Sequence, residues 1–378
     1  MSGEKIQMVD LVSQYHRLKS EIDEAMQQVA ESGLFINGPQ VKQFAGHLAD
    51  YLQTSHVIPC ANCTDALQIA LMRLNLRKGD EVVVPDFTYA AAAEAAILLG
   101  LTPVPADVDS RTFNISPEAI LRALSRRTRA IVVVHLFGQS CNMLPVMEIA
   151  QRHHLAVVED NAQSLGAEYI FPDGRRKKAG TIGHIGTLSF FPTKILGAYG
   201  DGGALITDNE ALAESLRMTT LHGQSKKYHH HLIGCNSRLD TLQAALLNIK
   251  LRHIETFIAA RRQVAAFYNE ALKDIDHLLL PYPHPASTHV FHQYTVQVKN
   301  GKRDALQAWL KEKGIPSAVY YPLAVHEQPA FKPHIRLAGE LSVSRQLTQN
   351  VLSLPIHTEM TESQLAHITQ CIADFFHS

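Results

Sequence analysis

Apolar side chains recur at helical spacing from residue 10 to 31 (Leu11, Tyr15, Leu18, Ile22, Met26, Val29), and the pattern stops at Ser32-Gly33. A turn, Phe35-Ile36-Asn37-Gly38-Pro39, leads into a second helix from about Gln40 to Leu52. Between residues 57 and 160 short apolar runs alternate with helical patterns. The runs are Val57-Ile58, Glu81 to Val84, Thr102 to Val108, Ala130 to Val134 and Ala156 to Val158. Between them lie helical stretches at Thr64 to Leu76, 90 to 99, one starting at Ser116-Pro117-Glu118, and one near 145 to 153. Such alternation predicts an α/β fold with a large, mostly parallel sheet covered on both faces.

Beyond residue 200 the rhythm changes. Asn209 to Leu216 and Leu239 to Leu272 are helical, the latter broken, and Val290 to Val298 alternates like a half-buried strand. A helix at Arg303 to Lys313, strands near Ser317 to Tyr320 and Val351 to Leu354, and a last helix from Glu362 to Phe376 complete a smaller α+β part. With 378 residues, the chain divides into a large α/β domain over 1–250 and a small domain over 251–378.

Composition narrows the function classes. A formal net charge of −1 with 19% charged residues offers no electrostatic reason to bind nucleic acid or an anionic membrane. The segment MSGEKIQMVD has no apolar region of a secretory leader, and the weakly polar stretch Tyr89 to Leu101 is short and interrupted by Glu94. Five scattered cysteines, an odd number, fit a reducing cytoplasm.

Candidate chemistry collects at the ends of the apolar runs. Asp86, His135 and Glu159-Asp160 each stand at the carboxyl end of an expected strand, the rim on which open α/β sheets bind ligands. In Gly186 to Thr207 an apolar run breaks at Pro192, Lys194 follows, and Gly197, Gly200, Gly202 and Gly203 come after it. Burying an ammonium there lowers its pKa, as a Schiff-base lysine requires, although spacing alone serves a turn-capping lysine equally well. Asn62-Cys63-Thr64-Asp65 stands where a strand enters a helix. Taken alone it reads first as an ordinary N-cap, and otherwise as an anion site.

Ser-Phe-Phe-Pro-Thr-Lys at 189–194 followed by Gly-Asp-Gly-Gly-Ala, with Cys-Ala-Asn-Cys-Thr-Asp-Ala-Leu at 60–67 and Asn-Ser-Arg-Leu-Asp at 236–240, resembles the DegT/DnrJ/EryC1/StrS nucleotide-sugar aminotransferases. The resemblance runs over nearly the whole chain and looks closest to enzymes that aminate UDP-2-acetamido-2-deoxy-3-oxo-glucuronate. It implies a fold type I pyridoxal-phosphate transferase and a homodimer with shared sites. The large domain would bind the cofactor, and glutamate would be the amino donor. By the same resemblance Lys194 is the Schiff-base lysine and Asp160 the partner of the pyridinium nitrogen, where a protonated ring acts as electron sink. Gln163 would face the phenolic oxygen and Tyr89 would stack on the ring. Cys63, Thr64, Ser189 and Asn236 would hold the phosphate, Asn236 from the neighbouring subunit. Phe35, Arg238 and Tyr321 would border the sugar. Cys63 departs from the glycine usual in the family.

Other readings are weaker. Cys60-Ala-Asn-Cys63 is formally a redox motif but competes with the phosphate role for one turn. Tyr228-His229-His230-His231 cannot turn three consecutive rings to one ion and lacks an acidic ligand, so no metal site is expected. A dehydratase of the same family would carry histidine in place of Lys194. A cofactor-binding regulator without turnover would share the fold.

Overall fold

Val82 and Val84 face one side of their strand and Val83 the other, and all three are fully buried, because this strand lies inside a sheet covered on both faces. The computed structural model describes residues 6–377. Residues 1–5 lie outside them, and with them the first half of the segment read above for a leader, as does Ser378.

The sheet has seven strands: β1 (His56–Cys60), β2 (Glu81–Pro85), β3 (Thr102–Ala106), β4 (Thr128–Val134), β5 (Ala156–Asp160) and, after a hairpin of β6 (Glu168–Ile170) and β7 (Arg176–Lys178), β8 (Ile185–Ser189) and β9 (Gly203–Thr207). Their order is β1-β9-β8-β5-β4-β2-β3. Neighbours from β8 to β3 run parallel, whereas β9 is antiparallel to both β8 and β1. Of the sheet's four prolines, Pro85 is the last residue of the interior strand β2, and the other three stand on the edge strands, Pro59 on β1 and Pro103 and Pro105 on β3. A missing N–H is tolerated there and blunts the edge.

Helices α1 (Leu11–Ser32) and α2 (Pro39–Leu52) precede the sheet, and α3 (Cys63–Met72), α4 (Ala91–Leu98), α5 (Pro117–Ala123) and α6 (Met143–His153) connect its strands. Their limits follow local chemistry. Asp10 accepts the Ser13 amide at the start of α1, and Gly33 closes it at φ 65°, a conformation that costs glycine little. Ser116 caps α5 with Pro117 in its first turn.

After α7 (Glu210–Thr220), residues expected as plain chain form a small hairpin, β10 (Gln224–Lys226) with β11 (His229–His230), so the histidine run sits on an exposed ribbon. The long helical region breaks at His253 into α8 (Thr241–Arg252) and α9 (Ile254–Leu272). Ile254, Phe257 and Ile258 of α9 pack with α1, α2 and β9, whereas Val264, Tyr268 and Leu272 belong to a separate C-terminal core. The expected boundary at 250–251 falls within α8, ahead of this change of core.

That core surrounds β12 (Leu278–Leu279), β13 (Tyr294–Val298) and β14 (Val351–Leu354) with α10 (Arg303–Glu312) and α12 (Glu362–His377); α11 (Ser342–Asn350) leads into β14. Two expectations need correction. β13 is buried on both faces, because its polar side is covered too: Thr295 meets Ser353 at 2.8 Å and Gln297 donates to the Ser110 carbonyl at 2.7 Å. The strand expected at 317–320 is reduced to one bridge, Ala318 to Ser353. No helix among the described residues is long and apolar enough to cross a membrane.

Candidate active site

Asp160 ends β5, in register with Thr187 of β8, and is 7% exposed. Its Oδ1 accepts the Ala162 amide at 3.0 Å and faces the Cys63 thiol at 3.9 Å, while the same sulfur lies 3.7 Å from the Thr187 hydroxyl. Its Oδ2 has no partner among the described residues. Burial raises the Asp160 carboxyl above its usual range, against the opposing pull of the Ala162 amide and the Lys194 charge.

Lys194 lies on the turn that follows β8. Its amide donates to Phe191 O at 2.8 Å and the Ala198 amide to Phe190 O at 2.7 Å, folding the segment back on itself. Gly197 is required at this fold, since a Cβ would stand 2.1 Å from Pro192 O. Burial pulls the Lys194 amine below the usual lysine range, opposed by Asp160 and Cys63. The structure therefore brings Lys194, Asp160 and Cys63 to one place. His292 joins them unannounced by the sequence. Burial first, then Lys194 and Arg261, hold it far below the usual imidazole range, and its buried Nδ1 has no partner among the described residues.

Beside this cluster α3 begins. Asn62 Oδ1 takes the Asp65 amide at 2.8 Å, and the amides of Cys63 and Thr64, in the first turn, have no acceptor within the helix. Gly203 lies against the Asn62-Cys63 peptide so closely that a Cβ would meet its atoms at 2.5 to 2.8 Å. Ser189 pairs with Gly203 across β8 and β9, which puts it next to this helix start. The cysteines of the formal redox motif are free, and burial pushes both thiols up, against thiolate formation.

A second group forms farther along the rim. Gln163 Oε1 accepts the Phe137 amide at 2.8 Å, and its Nε2 donates to the Tyr321 hydroxyl at 3.1 Å. Tyr89, 61% exposed, stands with its ring centroid 6.2 Å from that of Tyr321.

Asn236 and Arg238 do not join either group, and neither side chain has a partner among the described residues. Ser237 between them is buried, accepts the Ala61 amide at 3.1 Å and donates to Asp65 Oδ2 at 2.6 Å, tying the segment to the start of α3. Phe35, half exposed, borders this same segment: its carbonyl accepts the Thr241 amide at 2.9 Å, and Ile36 bridges Asp240.

The rim residues other than Asp160 are fully occupied, which corrects their expected place among the reactive groups. His135 Nδ1 accepts the Cys141 amide at 3.0 Å, so its proton sits on Nε2 and donates to Glu159 at 2.8 Å. Glu159 also takes the amides of Gly180, Ile182 and Gly183. Asp86 is bound by His326. Thr187 and Ser237 were missed by sequence reasoning. Ser237 lay within the quoted 236–240 segment, whereas nothing local marks Thr187. Among the described residues no group of three or more His, Cys, Asp or Glu side chains is placed to hold a metal ion.

The model of the DegT/DnrJ/EryC1/StrS aminotransferase family matches residues 16–373. The chain is 42% identical to a "pleiotropic regulatory protein" of Geobacillus stearothermophilus, over 98% of each sequence. It is 40% identical to the UDP-2-acetamido-2-deoxy-3-oxo-D-glucuronate aminotransferase of Pseudomonas aeruginosa, over 98% of this chain and all of that one. Among solved structures, S. venezuelae DesV in complex with a ketimine intermediate superposes with a TM-score of 0.94 at 36% identity, covering 99% of both chains. The site also fits the cofactor: an open carboxylate oxygen on Asp160, an amine of lowered pKa, and free helix-start amides approached closely through Gly203. The chain belongs to the DegT/DnrJ/EryC1/StrS aminotransferases, pyridoxal-phosphate-dependent enzymes of fold type I.

Proposed function

We propose that the protein moves an amino group from glutamate to the keto carbon of UDP-2-acetamido-2-deoxy-3-oxo-glucuronate, for surface polysaccharides such as lipopolysaccharide, as a cytoplasmic homodimer. The observation that supports the reading is the burial of the Lys194 amine near enough to Asp160, at the end of β5, for each charge to act on the other. The P. aeruginosa relative supports the sugar.

Pyridoxal phosphate, when bound, supplies the electron sink that lets the carbon next to nitrogen lose its proton. Lys194 would carry the cofactor through its amine and, once displaced, move the proton to and from the substrate carbon. Its lowered pKa leaves more of the neutral amine that both tasks need. Asp160 Oδ2 would hold the ring N–H, a charge-assisted bond worth about 1.5 to 3 kcal/mol. Thr64, Ser189 and the amides of Cys63 and Thr64 would hold the phosphate. Tyr89 would cover a ring face, and Gln163, with Tyr321 on its amide, would face the phenolic oxygen. We assign Asn236 and Arg238, whose side chains have no partner among the described residues, to a second copy's phosphate and sugar.

A related reading is another nucleotide-linked 3- or 4-keto deoxysugar; a Streptomyces venezuelae relative, 37% identical over 98% of this chain and 96% of its own, is named a dTDP-3-amino-3,4,6-trideoxy-α-D-glucose transaminase. A cofactor-binding regulator is the reading from another class, favoured by the name of the Geobacillus relative. A keto-sugar panel assayed with glutamate separates them. Preferred turnover of the UDP-linked keto-uronate supports the proposal, and preferred turnover of a neutral keto sugar replaces the substrate. Cofactor bound without any amine transfer makes the protein a regulator.

A further inference from the structure

Lys250 is buried without a role in the chemistry above. It lies near the end of α8, is 1% exposed, and has no carboxylate within ion-pair distance among the described residues. Its Nζ donates to the Gly197 carbonyl at 2.8 Å and stands 4.6 Å from the centroid of the Tyr199 ring. Burial alone pulls its pKa down to about 8. One carbonyl and one ring offset only part of the cost of desolvating an ammonium. An apolar side chain of the same length would sit there at lower cost.

What the ammonium grips is the turn that carries Lys194. Gln243 lies two helical turns earlier on the same face of α8 and holds the same turn. Its Oε1 accepts the Tyr199 amide at 2.8 Å and its Nε2 donates to the Tyr199 carbonyl at 3.3 Å. One helix face thus fixes Gly197 and Tyr199 from outside, while the Phe191-to-Lys194 and Phe190-to-Ala198 bonds fix the turn from within. Gly197 packs tightly against the Pro192 and Phe191 carbonyls, which ties its backbone to the turn that carries Lys194.

We propose that Lys250 is a positioning residue for Lys194, holding the Gly197 carbonyl so that the turn bearing Lys194 keeps its place beside the end of β5. Lys250 is not among the groups that set the Lys194 proton affinity, which are burial, Asp160 and Cys63, so it acts through the backbone rather than through its field. The proposal rests on Lys194 being the cofactor-bearing lysine.

The test uses the holoenzyme and Lys250→Met, which removes the ammonium and keeps an unbranched stem. Three quantities are measured: the thermal midpoint, the borohydride-sensitive visible band of the cofactor, and the rate and KM of the glutamate half-reaction. The expected result is a midpoint equal to or above wild type, a retained band, a half-reaction about tenfold slower, and a KM changed less than about twofold. Lys250→Arg, which keeps a donor, should recover part of the rate, and Gln243→Leu should lower it in the same direction. A lower midpoint with an unchanged half-reaction, or no change in either, would make Lys250 a packing residue and overturn the proposal. A wild-type protein without a borohydride-sensitive band, or an active Lys194→Ala, would instead remove the reading of Lys194 itself.

Discussion

His326 Nδ1 lies 2.7 Å from Asp86 Oδ2, and the His326 amide donates to Asp86 Oδ1 at 2.9 Å. Arg345 donates to His326 Nε2 at 3.2 Å, so the ring proton is on Nδ1 and points to Asp86. With the Val325 amide on the Asp86 carbonyl, this contact locks the segment that follows Tyr321 onto the end of β2. Asp86→Ala leaves a buried imidazole N–H unpaired, at a cost of about 1 to 3 kcal/mol. The midpoint of unfolding should fall, and turnover should fall further than cofactor binding, because Tyr321 loses its support. Urea titration and steady-state kinetics check both, and equal losses in binding and turnover would speak against a role through Tyr321.

Asp160→Asn should keep the fold and lose most activity. An amide cannot hold the pyridinium proton by charge, and at an effective dielectric near 20 an ion pair at 4 Å is worth roughly 4 kcal/mol. Turnover near wild type, with unchanged circular dichroism, would return Asp160 to a structural role.

Gly197→Ala should be damaging although the residue contacts no reacting group. The added Cβ would meet Pro192 O at 2.1 Å, and relieving such overpacking costs about 1 to 3 kcal/mol and moves the Lys194 turn. A slower glutamate half-reaction in a folded variant is the measurement. Gly46→Ala is the control: it has no positive φ and open space around it.

The depressed Lys250 pKa has a signed consequence for stability. The group titrates near 8 in the folded chain and at 10.5 in the unfolded one, so the unfolded chain holds more protons between those values. Stability from this group therefore rises with pH from about 8 to 10.5, by on the order of 3 kcal/mol in all. Lys250→Met should be favoured over wild type most strongly below pH 8, with the difference shrinking toward pH 10.5. Urea midpoints at pH 7.5 and 10 test this, and a pH-independent difference would contradict it.

Arg238 tests substrate and assembly together. An arginine fork pairs naturally with a planar carboxylate, which a uronic acid has and a neutral deoxysugar lacks. Arg238→Ala should weaken a keto-uronate far more than a neutral keto sugar. Mixed chains of inactive Lys194→Ala and Arg238→Ala should regain activity, because one of the two sites then has both residues. Equal losses across sugars would remove the uronate, and no recovery in chains shown to exchange would remove the shared site.

Much of the framework could be read from local sequence. The starts of α1 and α5, the glycine stop at Gly33, the buried valine runs of β2 and β4, and the position of Asp160 at the end of β5 each depend on residues within a few positions. The stretch from Ser189 to Gly203 likewise marked Lys194 by sequence alone, and the family followed from it.

Tertiary structure decided which polar groups stay open. Asp86, His135, Glu159 and Asp160 look alike at strand ends. Asp86 is taken by a histidine 240 positions away and Glu159 by His135 and three amides, whereas Asp160 keeps an oxygen without a partner among the described residues. The polar face of β13 was legible as alternation, but its burial depended on Ser353 and Ser110 arriving from elsewhere in the chain. Lys250 carried no mark in its helix at all, because a lysine looks solvated until a distant turn covers it. Periodicity and capping are properties of neighbours along the chain, whereas hydrogen-bond saturation and desolvation are properties of neighbours in space.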